Sequence, residues 1–419
     1  MRDIYAVLDI GSSTVKLVVG EVVNGSICVL FAKKIASQGV KKGIIENANR
    51  VIEDVKSLLE DASSMLNSTI ERVALCIPSN YTRLYKSEGI VSIDSYEISR
   101  EDVVEALKKS KNFNRDEKEE VITVMPIKYY LDDKVCEDLP IGQNANTLKV
   151  ESLIITTRKN LLYSYIGTVE KAGAQVIEIT VDTYANAKET LNSVYLQEGV
   201  ILLDIGHEES TVSFFEDGYL KFISNIKAGG MDITKKISSE WLISLEKAEK
   251  YKIRYGCCDS DEDDLIHTTK KGEQIYHYTQ KDLTSTIVES VEELMALVKN
   301  KIELINNGRT YETIIIGGGA ELPMIENIAS NILGTSVRVY RPDTVGARET
   351  QFVSCLGMIY YLNDRSKIIG GYDPSVVMSD VSNTMSYRLK GLTVNKTNDS
   401  VKKNKISKVL DSIFGEDKE

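Results

Sequence analysis

Histidine is scarce in this chain: 419 residues carry only three, at positions 207, 267 and 277. A zinc centre or other site built on imidazole ligands is therefore not expected. Cysteine offers no metal or disulfide framework either. The six residues, Cys28, Cys76, Cys136, Cys257, Cys258 and Cys355, lack ligand or cross-link spacing, and several sit in apolar strand contexts. They read as buried thiols in a reducing compartment. No apolar run is long enough to span a bilayer. The first strand, Ile4 to Ile10, begins almost at once and does not resemble a secretory leader, so a cytoplasmic location is expected. An excess of basic charge is also missing. Lys and Arg number 51 against 62 Asp and Glu, a net charge of −11, with no basic-aromatic groove. Nucleic acid is excluded as a broad partner on that ground. What remains, 42% hydrophobic and 27% charged residues, is the balance of a soluble globular protein. A chain of this length needs two lobes or more.

One phrase occurs twice. Leu8-Asp9-Ile10-Gly11 leads through Ser12, Ser13 and Thr14 into an apolar strand (Leu17 to Gly20), which meets Asn24-Gly25. Leu203-Asp204-Ile205-Gly206 leads through His207, Glu208, Glu209, Ser210 and Thr211 into Val212 to Phe215, which meets Asp217-Gly218. Each copy predicts a hairpin whose tight turn lines backbone N–H groups and hydroxyls beside a carboxylate. Such a turn holds phosphate, and the aspartate, Asp9 or Asp204, holds a hydrated Mg2+ through water. Two of them suit the two sides of a nucleotide's phosphates. A third turn, Gly317-Gly318-Gly319 after the strand Thr313 to Ile316, removes Cβ atoms where backbone meets a flat ligand such as adenosine. Alone it is also common punctuation between strand and helix.

Between the turns the pattern predicts a helix over 48–66, a strand over 73–77, and then a change of texture over about 80–161. There a strand 89–93, a helix 100–110 and strands 121–131 and 148–156 read as an inserted α+β module. The parent pattern resumes with a helix over 160–172, a strand over 176–181 and a helix over 183–192. Beyond the second hairpin come Gly229-Gly230 opening a helix, a helix over 245–255, an acidic loop Asp259 to Asp264, and a long helix over 282–307. The loop lacks the alternating ligands of a calcium site and reads as solvated. From Arg365 to Ser400 the sequence is polar and aperiodic, as a linker is. It ends in Lys402, Lys405, Ile406, Lys408, Val409, Leu410, Ile413 and Phe414, an apolar helical stripe with a basic rim. That is the pattern of a helix lying in a membrane interface. Burying its five apolar side chains at ~1.5 kcal/mol each gives up to about 7 kcal/mol before ordering costs.

These features, in this order, resemble the FtsA family of actin-like bacterial cell-division proteins. Further phrases agree: Glu170-Lys171-Ala172-Gly173, Glu246-Lys247-Ala248-Glu249 leading to Tyr255-Gly256, and Tyr278-Thr279-Gln280-Lys281-Asp282-Leu283. The resemblance implies an α/β fold, the actin/Hsp-type duplicated two-lobed ATPase fold with an inserted α+β 1C subdomain and a C-terminal amphipathic helix. It assigns subdomain 1A to 1–81 and 163–196, 1C to 82–162, 2A to 197–226, and 2B to 227–305. Residues 306–364 return through 2A to 1A, 365–400 is the linker and 401–419 the membrane-targeting helix. It implies ATP and Mg2+ as ligands. Gly11, Ser12, Ser13 and Thr14 with Lys16 would take the first phosphate turn, and Gly206 the second. Gly229 and Gly230 would approach the phosphates, Glu246 and Lys250 the ribose and base, and Gly317, Gly318 and Gly319 the adenosine. The implied partners are the FtsZ C-terminal tail through 2B, further copies head to tail through 1C, anionic membrane lipid, and later divisome proteins at the septum.

One feature departs from the family pattern. Where a smooth, glycine-rich second turn is usual, this chain has His207, Glu208 and Glu209. Two carboxylates beside a triphosphate repel it by ~1 kcal/mol or more, so the glutamates are expected to turn outward. No residue stands out to activate a water, which points to a nucleotide-binding scaffold with at most slow hydrolysis. Rival readings are a sugar kinase, a chaperone-type ATPase and a PilM-like scaffold of pilus or secretion machinery. The first two want a carboxylate base in a substrate cleft or a large substrate domain; the third does not call for a terminal basic helix.

Overall fold

In the computed structural model, which describes residues 4–305 and 308–371, the chain folds into two units. The first takes in the chain up to Thr190, Asp343–Arg348 and the stretch from Phe352 on; the second is Leu191–Pro342 with Glu349–Gln351.

The first unit is built on β1 (Tyr5–Ile10), β2 (Thr14–Val23) and β3 (Ser26–Ala36). Asn24 and Gly25 both take left-handed backbone (φ 51° and 82°), the turn whose twist suits a two-residue hairpin. A short ribbon, β4 (Val40–Lys41) with β5 (Ile44–Ile45), precedes α1 (Ala48–Met65). Asn47 caps α1 by accepting from the Arg50 N–H, and Val51, Val55, Leu58, Leu59 and Ala62 form its buried stripe. β6 (Arg72–Ile77) lies parallel to β1. The insert follows: β7 (Arg83–Ser92), α2 (Arg100–Ser110), β8 (Glu119–Leu131), β9 (Lys134–Cys136) and β10 (Thr147–Arg158). Its sheet runs β7-β10-β8-β9, and α2 starts from a capping box of Ser99 and Asp102. α3 (Lys159–Ala172), β11 (Gln175–Val181) and α4 (Asp182–Thr190) complete this part. The body sheet has the order β11-β6-β1-β2-β3.

The second unit repeats the scheme. α5 (Ser193–Glu198) leads into β12 (Val200–Ile205), β13 (Ser210–Glu216) and β14 (Tyr219–Ile226), with Asp217 and Gly218 again left-handed. α6 (Gly230–Trp241), α7 (Leu245–Tyr255), the hairpin β15 (Leu265–Lys271) and β16 (Gln274–Thr279), and α8 (Gln280–Glu303) come next. Then β17 (Thr313–Ile316), α9 (Ile325–Leu333) and β18 (Val337–Val339) close the sheet as β14-β13-β12-β17-β18. Hairpin strand, first strand and two parallel neighbours stand in the same sequence as in the first sheet. β1 and β12 lie centrally, which is why both read as continuous apolar runs. The chain then re-enters the first unit as α10 (Val353–Ile369).

Several expectations are corrected. The linker does not begin at Arg365, because α10 continues to Ile369 and Arg365 is almost enclosed. Its polar appearance comes from residues that bond inside the first unit. The β15–β16 hairpin, α5, β9, β14 and β18 are elements beyond those the sequence pattern predicts. Of the six cysteines only Cys76, Cys258 and Cys355 are buried; Cys28 is exposed, since its strand has an open face. The membrane stripe, Lys402 to Phe414, lies outside the described residues. Among the described residues no helix is long and apolar enough to cross a membrane.

Candidate functional site: two aspartate-glycine turns

In the first unit the register pairs Asp9 with Lys16 and Ile10 with Val15, and the Gly11 N–H donates to Thr14 O at 3.0 Å, closing the turn. Ser12, Ser13 and Thr14 are half-buried on it. Lys16 Nζ donates to Asp9 Oδ2 at 2.8 Å, with both side chains nearly enclosed. Ser354 Oγ, from the start of α10, donates to the same oxygen. A carboxylate held from two sides is pre-oriented, as a water-bridged Mg2+ site requires.

Around Asp9 the ends of the parallel strands gather further groups. Cys76 lies beside Asp9 in the sheet and donates to Ser354 O at 3.5 Å. Asp182 Oδ1, at the start of α4, accepts from the N–H groups of Ser79 (3.1 Å) and Thr183 (2.6 Å). Tyr165 donates to Gly43 O at 3.2 Å. Burial, then the charges of Asp9 and Asp182, push its phenol well above the ordinary value. The thiol of Cys355 is raised first by burial and then by Asp9. Ser354 and Asp182 were missed in the sequence, where neither stands near a motif.

In the second unit Asp204 pairs with Thr211, and the Gly206 N–H donates to Glu209 O at 3.1 Å, the same closure as at Gly11. This turn docks on α6: Gly230 N–H donates to Gly206 O (3.0 Å) and Met231 N–H to His207 O (2.7 Å). A Cβ on Gly229 would sit 2.6 Å from Gly206 O, so glycine is required for the two segments to meet. Gly229 N–H donates to Asp232 Oδ2 at 3.0 Å. Glu208 and Glu209 are half-buried and engaged with neighbours, rather than turned fully outward as expected. Burial is the main cause of the lowered His207 pKa; Lys252 and Lys235 add to it, and Glu249 and Glu208 oppose it.

The third turn packs against the second hairpin. Gly317 is at φ 85°, ψ 177°, and its Cβ would fall 2.1 Å from Asp204 Oδ1. A Cβ on Gly319 would meet Ile205 Cγ2 at 2.2 Å, whereas one on Gly318 would find only Gln351 Nε2, at 3.5 Å. Gly318 is thus the open member of the three.

Glu246 and Lys250 pair with each other at 2.7 Å on the exposed side of α7, with 79% and 72% of their side chains exposed. The structure does not bring them to the glycine turns. A neighbouring pair does reach α6: Lys252 Nζ binds Glu249 Oε2 (2.7 Å) and donates to Gly230 O and Thr234 Oγ1, each at 2.8 Å. Glu249 and Lys252 stand on the same helix within two residues of Lys250, and only the rotation of α7 distinguishes the two pairs. No cluster of three or more metal-ligating side chains occurs among the described residues. A cation here would be held through water and ligand oxygens, which suits one carboxylate on each glycine turn.

Two sheets of one order, each with an aspartate-glycine turn at the end of its central strand, define an actin-like ATPase fold. Solved structures share it. A chain of a PilM–PilN type IV pilus biogenesis complex is 16% identical with a TM-score of 0.59, over 85% of this chain and 98% of that one. MreB5 of Spiroplasma citri bound to ADP is 12% identical with a TM-score of 0.56, over 88% of this chain and 99% of that one. The family is narrower. Residues 201–357 match the model of cell division protein FtsA, and residues 79–156 match the SHS2 domain inserted in FtsA. Cell division protein FtsA of Bacillus subtilis (strain 168) is 28% identical over 378 residues, 88% of this chain and 86% of the relative. The chain belongs to the FtsA family and is an actin-like cell-division protein.

Proposed function

We propose that the chain binds MgATP and, in the ATP-bound state, polymerises on the cytoplasmic face of the membrane at the septum, where it anchors FtsZ filaments and helps to recruit later divisome proteins. The observation that carries the nucleotide reading is the pair of matched turns at Gly11 and Gly206, each beside an aspartate and closed by the same backbone bond. On this reading the Ser12, Ser13 and Thr14 hydroxyls and the turn N–H groups take phosphate oxygens, and Asp9 and Asp204 hold Mg2+ through water. Gly318 admits the adenosine. Glu246 and Lys250, exposed on α7, are the candidates for the ribose and base, while Glu249 and Lys252 hold α7 on α6. MreB5 of Spiroplasma citri, which shares the fold, was solved bound to ADP. ATP here serves conformation more than turnover.

Subdomain 2B has a face suited to an apolar peptide tail. Leu242, Leu245, Leu265 and Ile275 are exposed there, and beneath them the buried Trp241 stacks on Tyr278 at 4.6 Å within the core, with Tyr251 and His267 alongside. Membrane attachment rests on the sequence of Lys402, Lys405, Ile406, Lys408, Val409, Leu410, Ile413 and Phe414. Head-to-tail assembly through 1C rests on the inserted SHS2 domain.

The test is co-sedimentation of the full chain with anionic liposomes, against a chain ending at Ser400, each with an FtsZ tail fused to a reporter. The full chain alone should carry the reporter down. If neither chain binds lipid while ATP still binds, membrane tethering is wrong and a soluble actin-like ATPase remains.

A further inference from the structure

α10 is buried from Val353 to Leu362 apart from the half-buried Tyr360, and both of its ends are bonded to other parts of the first unit. At its start Ser354 Oγ donates to Asp9 Oδ2, the carboxylate of the first turn. Three turns on, Arg365 reaches β11 and the insert at once: its Nε binds Glu178 Oε2 at 3.1 Å, and its NH1 donates to Val124 O of β8 at 2.9 Å. The pair is almost wholly enclosed, with side-chain exposures of 11% and 3%. Beside it the hydroxyls of Thr123 in β8 and Thr180 in β11 bond at 2.9 Å. At its end the carbonyls of Lys367 and Ile368 accept from Arg100 NH1 at the start of α2.

Nor can the helix shift easily against its neighbours. It crosses α4 at Gly357, where a Cβ would come 1.8 Å from Ala185 O, so the two backbones are already in contact. One apolar core runs from Val7 and Ala74 through Leu356 and Ile359 to Val124 and Leu148 of the insert. Close-packed interiors pass a displacement on rather than absorb it.

We propose that α10 ties the first phosphate turn to the inserted subdomain, with Ser354 the positioning residue at one end and Arg365, helped by Arg100, the clamp at the other. This rests on the nucleotide reading above. When Mg2+ and phosphate draw on the Asp9 carboxylate, the Ser354 hydroxyl must follow or release it. Either change alters the seating of α10, and β8 and α2 share that seating through their bonds to it. Coupling of this kind is reciprocal, so whatever docks on the insert alters ATP affinity by the same factor.

Hydrogen–deuterium exchange on the full chain, with and without saturating MgATP, tests the tie, with ATP binding measured on the same samples. In the native chain, MgATP should change exchange in β8 and α2 by about fivefold or more, the lower range of such couplings. The double variant Glu178→Gln/Arg365→Met, which removes the buried charges together, should bind ATP and lose that response. Arg100→Ala, at a half-buried site whose carbonyls water can reach, should weaken it and decides the matter if the double variant does not fold. A native chain that binds ATP with no response in the insert overturns the tie and leaves the nucleotide reading standing. So does a full response in both variants. A native chain that fails to bind ATP overturns both.

Discussion

Three consecutive glycines at 317–319 allow a comparison in which fold and ligand separate. Gly317→Ala places a side chain at φ 85°, ψ 177°, a region nearly closed to other residues, at a cost of order 1–3 kcal/mol. The new Cβ would also fall 2.7 Å from Ile205 O, which belongs to the central strand and cannot retreat cheaply. Gly319→Ala would press on the Ile205 side chain from 2.2 Å, an overpacking of about 1–3 kcal/mol. Gly318→Ala meets nothing nearer than 3.5 Å and should leave stability within about 0.5 kcal/mol. At roughly 2–4 °C per kcal/mol for a unit of this size, the first two variants should melt several degrees lower and the third at the native temperature. The same three proteins go into an ATP titration. If Gly318 admits adenosine, Gly318→Ala should bind at least about tenfold more weakly, a change of ~1.4 kcal/mol, with melting unchanged. Native affinity in that variant would refute the role of the third turn in binding. Native melting in Gly317→Ala would refute its role in packing.

At the first turn, a Cβ on Gly11 would lie 3.2 Å from Thr14 O and 3.8 Å from Lys16 Nζ, so Gly11→Asp should fold, its carboxylate near Lys16. Equilibrium dialysis should show ATP binding lost, by at least about tenfold. For His207, burial lowers the folded-state pKa, so below the ordinary imidazole value near 6.5 the unfolded chain binds more protons than the folded one. Its contribution is present above that value and fades as pH falls through the depressed one. The urea midpoint of the native chain should therefore drop more between about pH 7 and about pH 5 than that of His207→Gln; parallel profiles would refute this. Among the thiols, Cys28 should react promptly with a disulfide reagent, whereas Cys76, Cys258 (raised to about 12, chiefly by burial) and Cys355 should react only on unfolding. Rapid modification of all six in the folded protein would contradict the described packing.

Much of this protein was legible in the residue order, because the signals are local. Asn24-Gly25 and Asp217-Gly218 adopt the left-handed turns that these residue types favour, and the buried stripe of α1 repeats at helical spacing. The duplicated Asp-Ile-Gly turns, the insert and the third glycine turn followed from such features. Other parts had no local signature. Ser354 and Asp9 are 345 positions apart, and neither composition nor periodicity pairs them. Arg365 reads as linker because its partners, Glu178 and Val124, lie on distant strands. On α7 both Glu246 with Lys250 and Glu249 with Lys252 satisfy helical spacing. Only the packing of α7 against α6 turned the second pair inward and left the first in water. Backbone preference and periodicity thus determined where the turns and most elements fall. Which charges meet across them was decided by tertiary packing, since a salt bridge or hydroxyl contact depends on separation in space and leaves no trace in sequence spacing.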